Sequence, residues 1–549
     1  MHKNSFAEGT LVSYAAVVIT KILGLVYTIP FYRIIGAQGG FIYSTAYSVY
    51  ALFLDISTSG IPVAMSILVS EYLAKEKYRS KERAYRLGFQ VVSVISVTAF
   101  MLLQLFARQI GSFFIETMQE GATLEQVAWA VRSISFSLLV VPMMSVTNGY
   151  LEGHKFISVP AASQVIEQLV RILVVLLGSY LVICVMGGTV TEGVCTALAG
   201  TALGGLAGFW YDRRKINANR DLFPQGSDEE SADPDKVIIG KIIRYCSYIV
   251  VISVSGSLYN IIDTRLLITG LLRCGYGDID VQTIASINST WAPKICAIIN
   301  AISTGMTASI APHMAESFAA GDYQSLHAKL TQAMTIVLTI TVPLAIGMII
   351  FAGPVYQVFY GSSAYGPSIL VLTLLLNVVS NLTTILAMSM QSMNLGRQAT
   401  WIIVFGIVLN MSLDLPLLYL FDTIGLAYLG PSVSSVLTQT VVLVLLLTVL
   451  RGQIHFSVRR WLDNARTLVV PLAAMTAAVL AVKAFWPIPD TTRLDIVWRL
   501  GVYALLGMAV YFPLAARSGA LAAAFGPHYR KRLSGWLHRG RKEQNDEER

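Results

Sequence analysis

Stretches of about twenty residues, apolar and nearly free of charge, follow one another from the N-terminus to residue 516, and they dictate the fold class. A helix needs about 20 predominantly apolar residues to cross the hydrocarbon core of a bilayer. Fourteen segments qualify, at roughly 10–30, 41–66, 87–107, 127–149, 157–182, 186–210, 240–268, 284–312, 330–352, 367–390, 399–420, 424–450, 467–486 and 496–516. At membrane depth each segment must satisfy its own backbone N–H and C=O groups, so the chain reads as an all-α integral membrane protein. Only 13% of its residues are charged, against about 25% in soluble domains, which excludes a soluble multidomain protein. The run Leu11–Ile29 is followed by Pro30, Tyr32 and Arg33 instead of a small-residue cleavage site, so it reads as a retained first helix.

The loops between these segments alternate in basic charge. Loop 71–86 carries Lys75, Lys77, Arg79, Lys81, Arg83 and Arg86, and loop 211–239 carries Arg213, Arg214, Lys215, Arg220 and Lys236. Loop 451–466 carries four arginines and the tail six basic residues between Arg530 and Lys542. Loops 183–192 and 353–366 have no basic residue, and 270–283 has only Arg273. The positive-inside rule then puts both termini in the cytoplasm of a multi-pass membrane protein, which needs an even number of spans. The net charge of +8 follows from these loops, so the partner they imply is the anionic bilayer surface and not nucleic acid. The five cysteines form no CxxC pair and mostly lie in apolar runs. They read as buried small hydrophobes, with neither a disulfide framework nor a metal site.

Two gap-free segments of equal length resemble each other: DISTSGIPVAMSILVSEYLAKEKYRS at 55–80 and NAISTGMTASIAPHMAESFAAGDYQS at 300–325. Gly60 falls on Gly305, Glu71 on Glu316, Ala74 on Ala319, Tyr78 on Tyr323 and Ser80 on Ser325. Weaker pairings follow in order: Tyr27 and Arg33 with Tyr259 and Arg265, Gly153-His154-Lys155 with Gly396-Arg397-Gln398, and Glu167 and Arg171 with Asn410 and Asp414. Six spans return the chain to its starting side, so the halves read as parallel repeats about an axis along the membrane normal. The expected organisation is an N-lobe of six helices (1–210), a cytoplasmic linker rich in acid, Pro and Ser (211–239) and a C-lobe of six helices (240–450). A cytoplasmic loop with two further helices (451–516) and a basic cytoplasmic tail (517–549) follow. Ser57, Gly60 and Pro62 with Gly305 read as a paired hinge, because small residues allow close helix packing and bending.

The run from Phe6 to Tyr72, FAEGTLVSYAAVVITKILGLVYTIPFYRIIGAQGGFIYSTAYSVYALFLDISTSGIPVAMSILVSEY, resembles polysaccharide biosynthesis proteins of the SpoVB/YtgP type. These are Gram-positive relatives of the lipid II flippase MurJ, within the MOP superfamily that also holds MATE exporters and Wzx-type flippases. The resemblance covers essentially the whole chain. It implies a V-shaped, two-lobe fold of about 14 helices and movement of a lipid-linked cell-wall precursor across the bilayer. It also places Lys21 at a functional arginine of the first helix, Tyr27 at a second functional arginine, Ile42 near a functional aspartate, and Lys294 within a residue of a functional arginine in the eighth helix.

A charge at mid-bilayer costs roughly 2.5–3.5 kcal/mol on insertion scales, so each such residue must face protein or water. Lys21, Arg33, Arg265 and Lys294 are the candidate ligands for a pyrophosphate headgroup, since cations supply charge-assisted hydrogen bonds there. The bland reading of Arg33 and Arg265 is that they snorkel to the outer headgroups. Glu167 and Arg171 share a helix face and form either a neutralised pair or a gate. Asp414 has no basic neighbour one turn away and is a candidate ion-coupling acid, as is Asp55 beside the polar break. Tyr43, Tyr47 and Tyr50 make one stripe, for lobe packing, an interfacial belt or sugar stacking.

No nucleotide-binding loop or catalytic motif occurs, so the expectation is a non-enzymatic transporter without cofactor, driven by an ion gradient, the membrane potential or substrate removal. The leading reading is a flippase for lipid II or a related undecaprenyl-pyrophosphate oligosaccharide, working by alternating access, with cell-wall synthesis proteins as candidate partners. The rivals are a MATE-like exporter of small cations, which a cationic cavity would repel, and a non-transporting membrane factor for cell-wall or spore-cortex assembly.

Overall fold

The computed structural model describes residues 6–115, 118–224, 232–488 and 492–526. Among the described residues every regular element is helical and no strand occurs. Twelve helical segments are long and apolar enough to cross a membrane, from Thr28–Ala74 to Arg493–Arg517. The first and eighth expected spans fall on the helices Phe6–Val26 and Ala292–Ala319, whose side chains are described only in part. The expected count of fourteen therefore stands at twelve among the described residues. The basic residues 530–542 of the tail, and 225–231 of the linker, lie outside them.

Large apolar side chains cover the outside of these helices: Leu105 is 70% exposed and Phe485 90%. In water that would cost heavily, but in lipid it costs nothing, and it frees the interior for polar groups such as Asp263, Asn410 and Asp414. The same inversion corrects the reading of the cysteines. Only Cys246 and Cys296 are buried, while Cys184 is exposed, because an apolar run here can face outward as readily as inward.

The chain forms two compact units, one of residues 1–301 with 403–438 and one of 302–402 with 439–549. In the first, Met65, Leu68, Tyr72, Leu87, Val146, Tyr150 and Phe223 form part of a continuous core. Helix Thr28–Thr58 ends at Ser59, and Gly60, at φ 77°, starts the helix Ile61–Ala74 with Pro62 in its first turn. A left-handed residue followed by proline is a local instruction to end one helix and begin another. A turn further on, the helices cross so closely that a Cβ on Gly149 would lie 2.5 Å from the Pro62 carbonyl oxygen.

In the second unit, Met314, Leu330, Met334, Leu386, Met390, Leu446 and Leu450 belong to one core cluster. Helix Tyr323–Ile350 contains Pro343, which has no N–H to give to Thr339 four residues earlier. The Tyr511 hydroxyl donates to that Thr339 carbonyl at 2.8 Å instead, and ties the last described span to it. Beside this bond, Pro343, Met475, Tyr503, Tyr511 and Phe512 help line an apolar cavity of about 430 Å³.

Helix ends repeat where the sequence segments match. Ala74 and Ala319 end helices, Tyr78 and Tyr323 begin the next, and Glu76 (φ 56°) and Gly321 (φ 68°) occupy the left-handed position between them. The other pairings need adjustment. Gly60 breaks its helix, whereas Gly305 lies inside the unbroken helix Ala292–Ala319. Lys155 (φ 66°) corresponds in its turn to Asn394 (φ 60°), four residues before the Gln398 that sequence matching had chosen. That shift of one helical turn puts Arg171, not Glu167, opposite Asn410.

Candidate functional site

A short π-helical segment, Ile287–Trp291, precedes the helix that carries Lys294. Such single-turn insertions re-aim the side chains around them. Here the turn presents Trp291 and Asn288 toward two different polar sites of the same unit.

At the first site the Lys294 Nζ lies 4.6 Å from the centre of the Trp291 ring, 4.7 Å from Tyr43 and 5.7 Å from Tyr27. The nitrogen is buried and has no hydrogen-bond acceptor among the described residues. A desolvated cation–π contact contributes about 2 kcal/mol. Two close rings thus match the roughly 2.5–3.5 kcal/mol that an ammonium costs at mid-bilayer. The rings brace one another: Tyr43 stacks on Trp291 at 5.9 Å and on Tyr47 at 5.8 Å, and Tyr32 meets Trp291 edge-on at 5.0 Å.

Arg171 is the charged group that acts on Lys294 from the neighbouring helix, and it faces Tyr27, Tyr47 and Tyr50 as well. Glu167, one turn earlier on helix Ser158–Leu173, takes one arm of its guanidinium, and Gln168 accepts from another at 3.5 Å. Two basic side chains and one carboxylate give the site a basic excess, suited to a phosphate-bearing ligand.

The second site joins Asp263 on helix Asp235–Arg273 to Asp414 on helix Gly396–Asp422. The two buried carboxyl groups face each other within hydrogen-bonding reach. Asn410 donates to Asp414 at 2.7 Å, Asn288 to Asp263 at 3.4 Å, and Ser432 to the Asn288 carbonyl at 3.0 Å. One oxygen of each carboxyl group has no hydrogen-bond donor of its own. Two facing carboxylates cannot both stay charged unless a proton or a cation lies between them.

Comparison with known proteins fits this arrangement. The family described as "Polysaccharide biosynthesis protein" matches residues 6–273, and the family described as "Lipid II flippase MurJ" matches residues 297–491. The lipid II flippase MurJ of Bacillus subtilis is 28% identical over 97% of this chain and 98% of its own. The chain is thus similar along nearly its whole length to MurJ-type polysaccharide biosynthesis proteins. The stage V sporulation protein B of the same organism is 31% identical, over 31% of this chain and 32% of its own. Among solved structures, a lipid II flippase MurJ in an inward closed conformation shares the fold with TM-score 0.66 and 14% identity, covering 93% of this chain and 99% of that one. A MOP superfamily transporter from Pyrococcus furiosus does so with TM-score 0.63 and 14% identity, covering 82% and 97%.

The sequence-derived site residues are scattered. Lys21 and Arg33 are exposed. Arg265 is half-buried with its guanidinium 5.3 Å from the Phe113 ring, and one of its nitrogens has no acceptor. No described contact joins these three to Lys294. Asp55 is half-buried and accepts from Ser257 and, at 3.1 Å, from Ser59. Ser57 bonds the Phe53 carbonyl at 2.8 Å within its own helix. Tyr27, which stands where the resemblance puts an arginine, turns its ring to Lys294. Reasoning from sequence missed Trp291 as a site residue and Asp263 as the partner of Asp414. The available signal was four polar residues, Asp263, Asn288, Asn410 and Asp414, in otherwise apolar helices.

Proposed function

We propose that this protein is a flippase that moves a lipid-linked cell-wall precursor, lipid II or a related undecaprenyl-pyrophosphate oligosaccharide, from the inner to the outer leaflet. Near full-length similarity to a protein named as a lipid II flippase carries this reading. The basic side chains Lys294 and Arg171, set against the single carboxylate of Glu167, support it, because a basic site disfavours the small cations of a MATE-like exporter. The chain is a transporter, not an enzyme.

In this reading the lobes 1–210 and 240–450 rock about a cavity, with both termini cytoplasmic and with Ser57, Gly60, Pro62 and Gly305 as hinge positions. Lys21, Arg33, Arg265 and Lys294 serve the pyrophosphate at different stages of the passage. Asp55, Glu167 and Arg171 act as gate groups, and Asp414, with Asp263, holds the coupling proton or cation. Cell-wall synthesis proteins receive the product.

The test is depletion of the protein in cells that lack related flippases, followed by probing which leaflet holds lipid II. The expected outcome is accumulation in the inner leaflet. Undiminished arrival at the outer leaflet would refute the proposal.

A further inference from the structure

The Lys294 nitrogen is held by rings and by no hydrogen-bond acceptor. A lysine has a flexible four-carbon stem and wanders unless something fixes its end. A carboxylate would fix it, but an arriving anion would then have to break that pair. Ring faces fix it without placing an anion where the substrate's phosphate must bind. The nearest carboxylate of the site, Glu167, is already engaged by Arg171.

We propose that Trp291, Tyr43 and Tyr27 are positioning residues for headgroup binding: their rings hold the Lys294 side-chain nitrogen in place, with no carboxylate partner, for the pyrophosphate of the substrate. This rests on the flippase reading and adds to it a function for three aromatic residues. Trp291 is three residues before Lys294 on a continuous helical run and so shares its face, but nothing in the spacing of Tyr27 and Tyr43 brings them to that nitrogen. The three rings come from separate parts of the chain, on helix Thr28–Thr58, at its N-terminal junction and on the π-helical turn, and converge on one nitrogen. Gly40 leaves the indole its room, since a Cβ there would lie 3.1 Å from both Trp291 and Tyr32.

The experiment uses full-length protein in lipid nanodiscs, with undecaprenyl pyrophosphate as probe and uncharged undecaprenol as control. Tyr43→Phe keeps the ring and is expected to bind the pyrophosphate as wild type does. Tyr43→Leu and Trp291→Leu are expected to weaken it at least about tenfold, the loss of roughly one cation–π contact, with undecaprenol unaffected. In a Lys294→Met background, Tyr43→Leu should have no further effect. Melting curves of each variant identify any that fails to fold, and Trp291→Phe against Trp291→Leu provides the second ring-for-aliphatic comparison.

If wild type prefers the pyrophosphate and Tyr43→Leu and Trp291→Leu match it, the cage is overturned alone. It is likewise overturned if Tyr43→Phe is as damaging as Tyr43→Leu, or if Tyr43→Leu still weakens binding in the Lys294→Met background. A wild type that does not distinguish the two lipids overturns the flippase reading, and this inference with it.

Discussion

Gly149 shows how little freedom a single residue can have. Any side chain there meets the backbone of Pro62, which cannot withdraw as a flexible side chain could. Gly149→Ala is expected to lower stability by about 1–3 kcal/mol, the usual cost of overpacking, read as an earlier melting transition of the purified protein. Asp414 makes a functional counterpart. Asp414→Asn keeps the shape and the Asn410 neighbour but removes the charge facing Asp263. Its expected result is transport that no longer responds when an ionophore collapses the ion gradient, in the leaflet assay described above. Asp414 and Lys294 were legible as charges inside apolar runs. Asp263 was not, because its partner lies on a helix far along the chain and no charged residue one turn away on its own helix marks it. The rings around Lys294 were hidden for the same reason: tyrosine is common at membrane interfaces, and only the fold brings these to one nitrogen.

Helices follow directly from apolar length, and so their existence was legible while their irregularities were not. The π-helical turn Ile287–Trp291 aims both Asn288 and Trp291, yet it has no signature in residue type or spacing. The 211–239 linker similarly reads as a spacer, but its described end is clasped. The Lys77 ammonium and the Tyr72 hydroxyl both donate to the Asp233 carboxylate, at 2.7 and 3.1 Å, the Asp233 N–H donates to Ser80 at 2.9 Å, and Arg83 grips Asp235 through bonds of 2.8 and 2.6 Å. The Lys77 hydrogen bond holds the Asp233 carboxyl below the usual aspartate range, and the Arg83 bonds do the same for Asp235. Depressed acids contribute stability above their unfolded value, near about 3.9, and lose it as the pH falls through the lower folded value. Amide protection factors across 232–245, taken relative to the intrinsic exchange rate at each pH, are therefore expected to fall below about pH 4, and also in high salt because the Arg83–Asp235 pair is solvent-exposed. Asp233→Asn should exchange faster at neutral pH and lose most of the acid dependence; a variant that follows wild type at every pH would show that the clasp holds nothing.

At the scale of the whole molecule, hydropathy and loop charge lead to the same arrangement by independent routes, since span length is set by bilayer thickness and orientation by basic residues. The arrangement makes a sharp demand on one position. With a cytoplasmic N-terminus, five spans would bring the chain to the outer face at loop 183–192, which has no basic residue. Met186, just past the span that ends at Val185, is 77% exposed, and the exposed Lys75 sits in the basic turn expected inside. In a background whose cysteines are replaced by alanine, Met186→Cys is expected to react with a membrane-impermeant maleimide applied to intact cells. Lys75→Cys in the same background should react only after the membrane is opened. Labelling of Lys75→Cys in intact cells, with Met186→Cys silent, would invert the chain. Lipid II would then have to meet the Lys294 site from the opposite face, and inner-to-outer movement would need a different route.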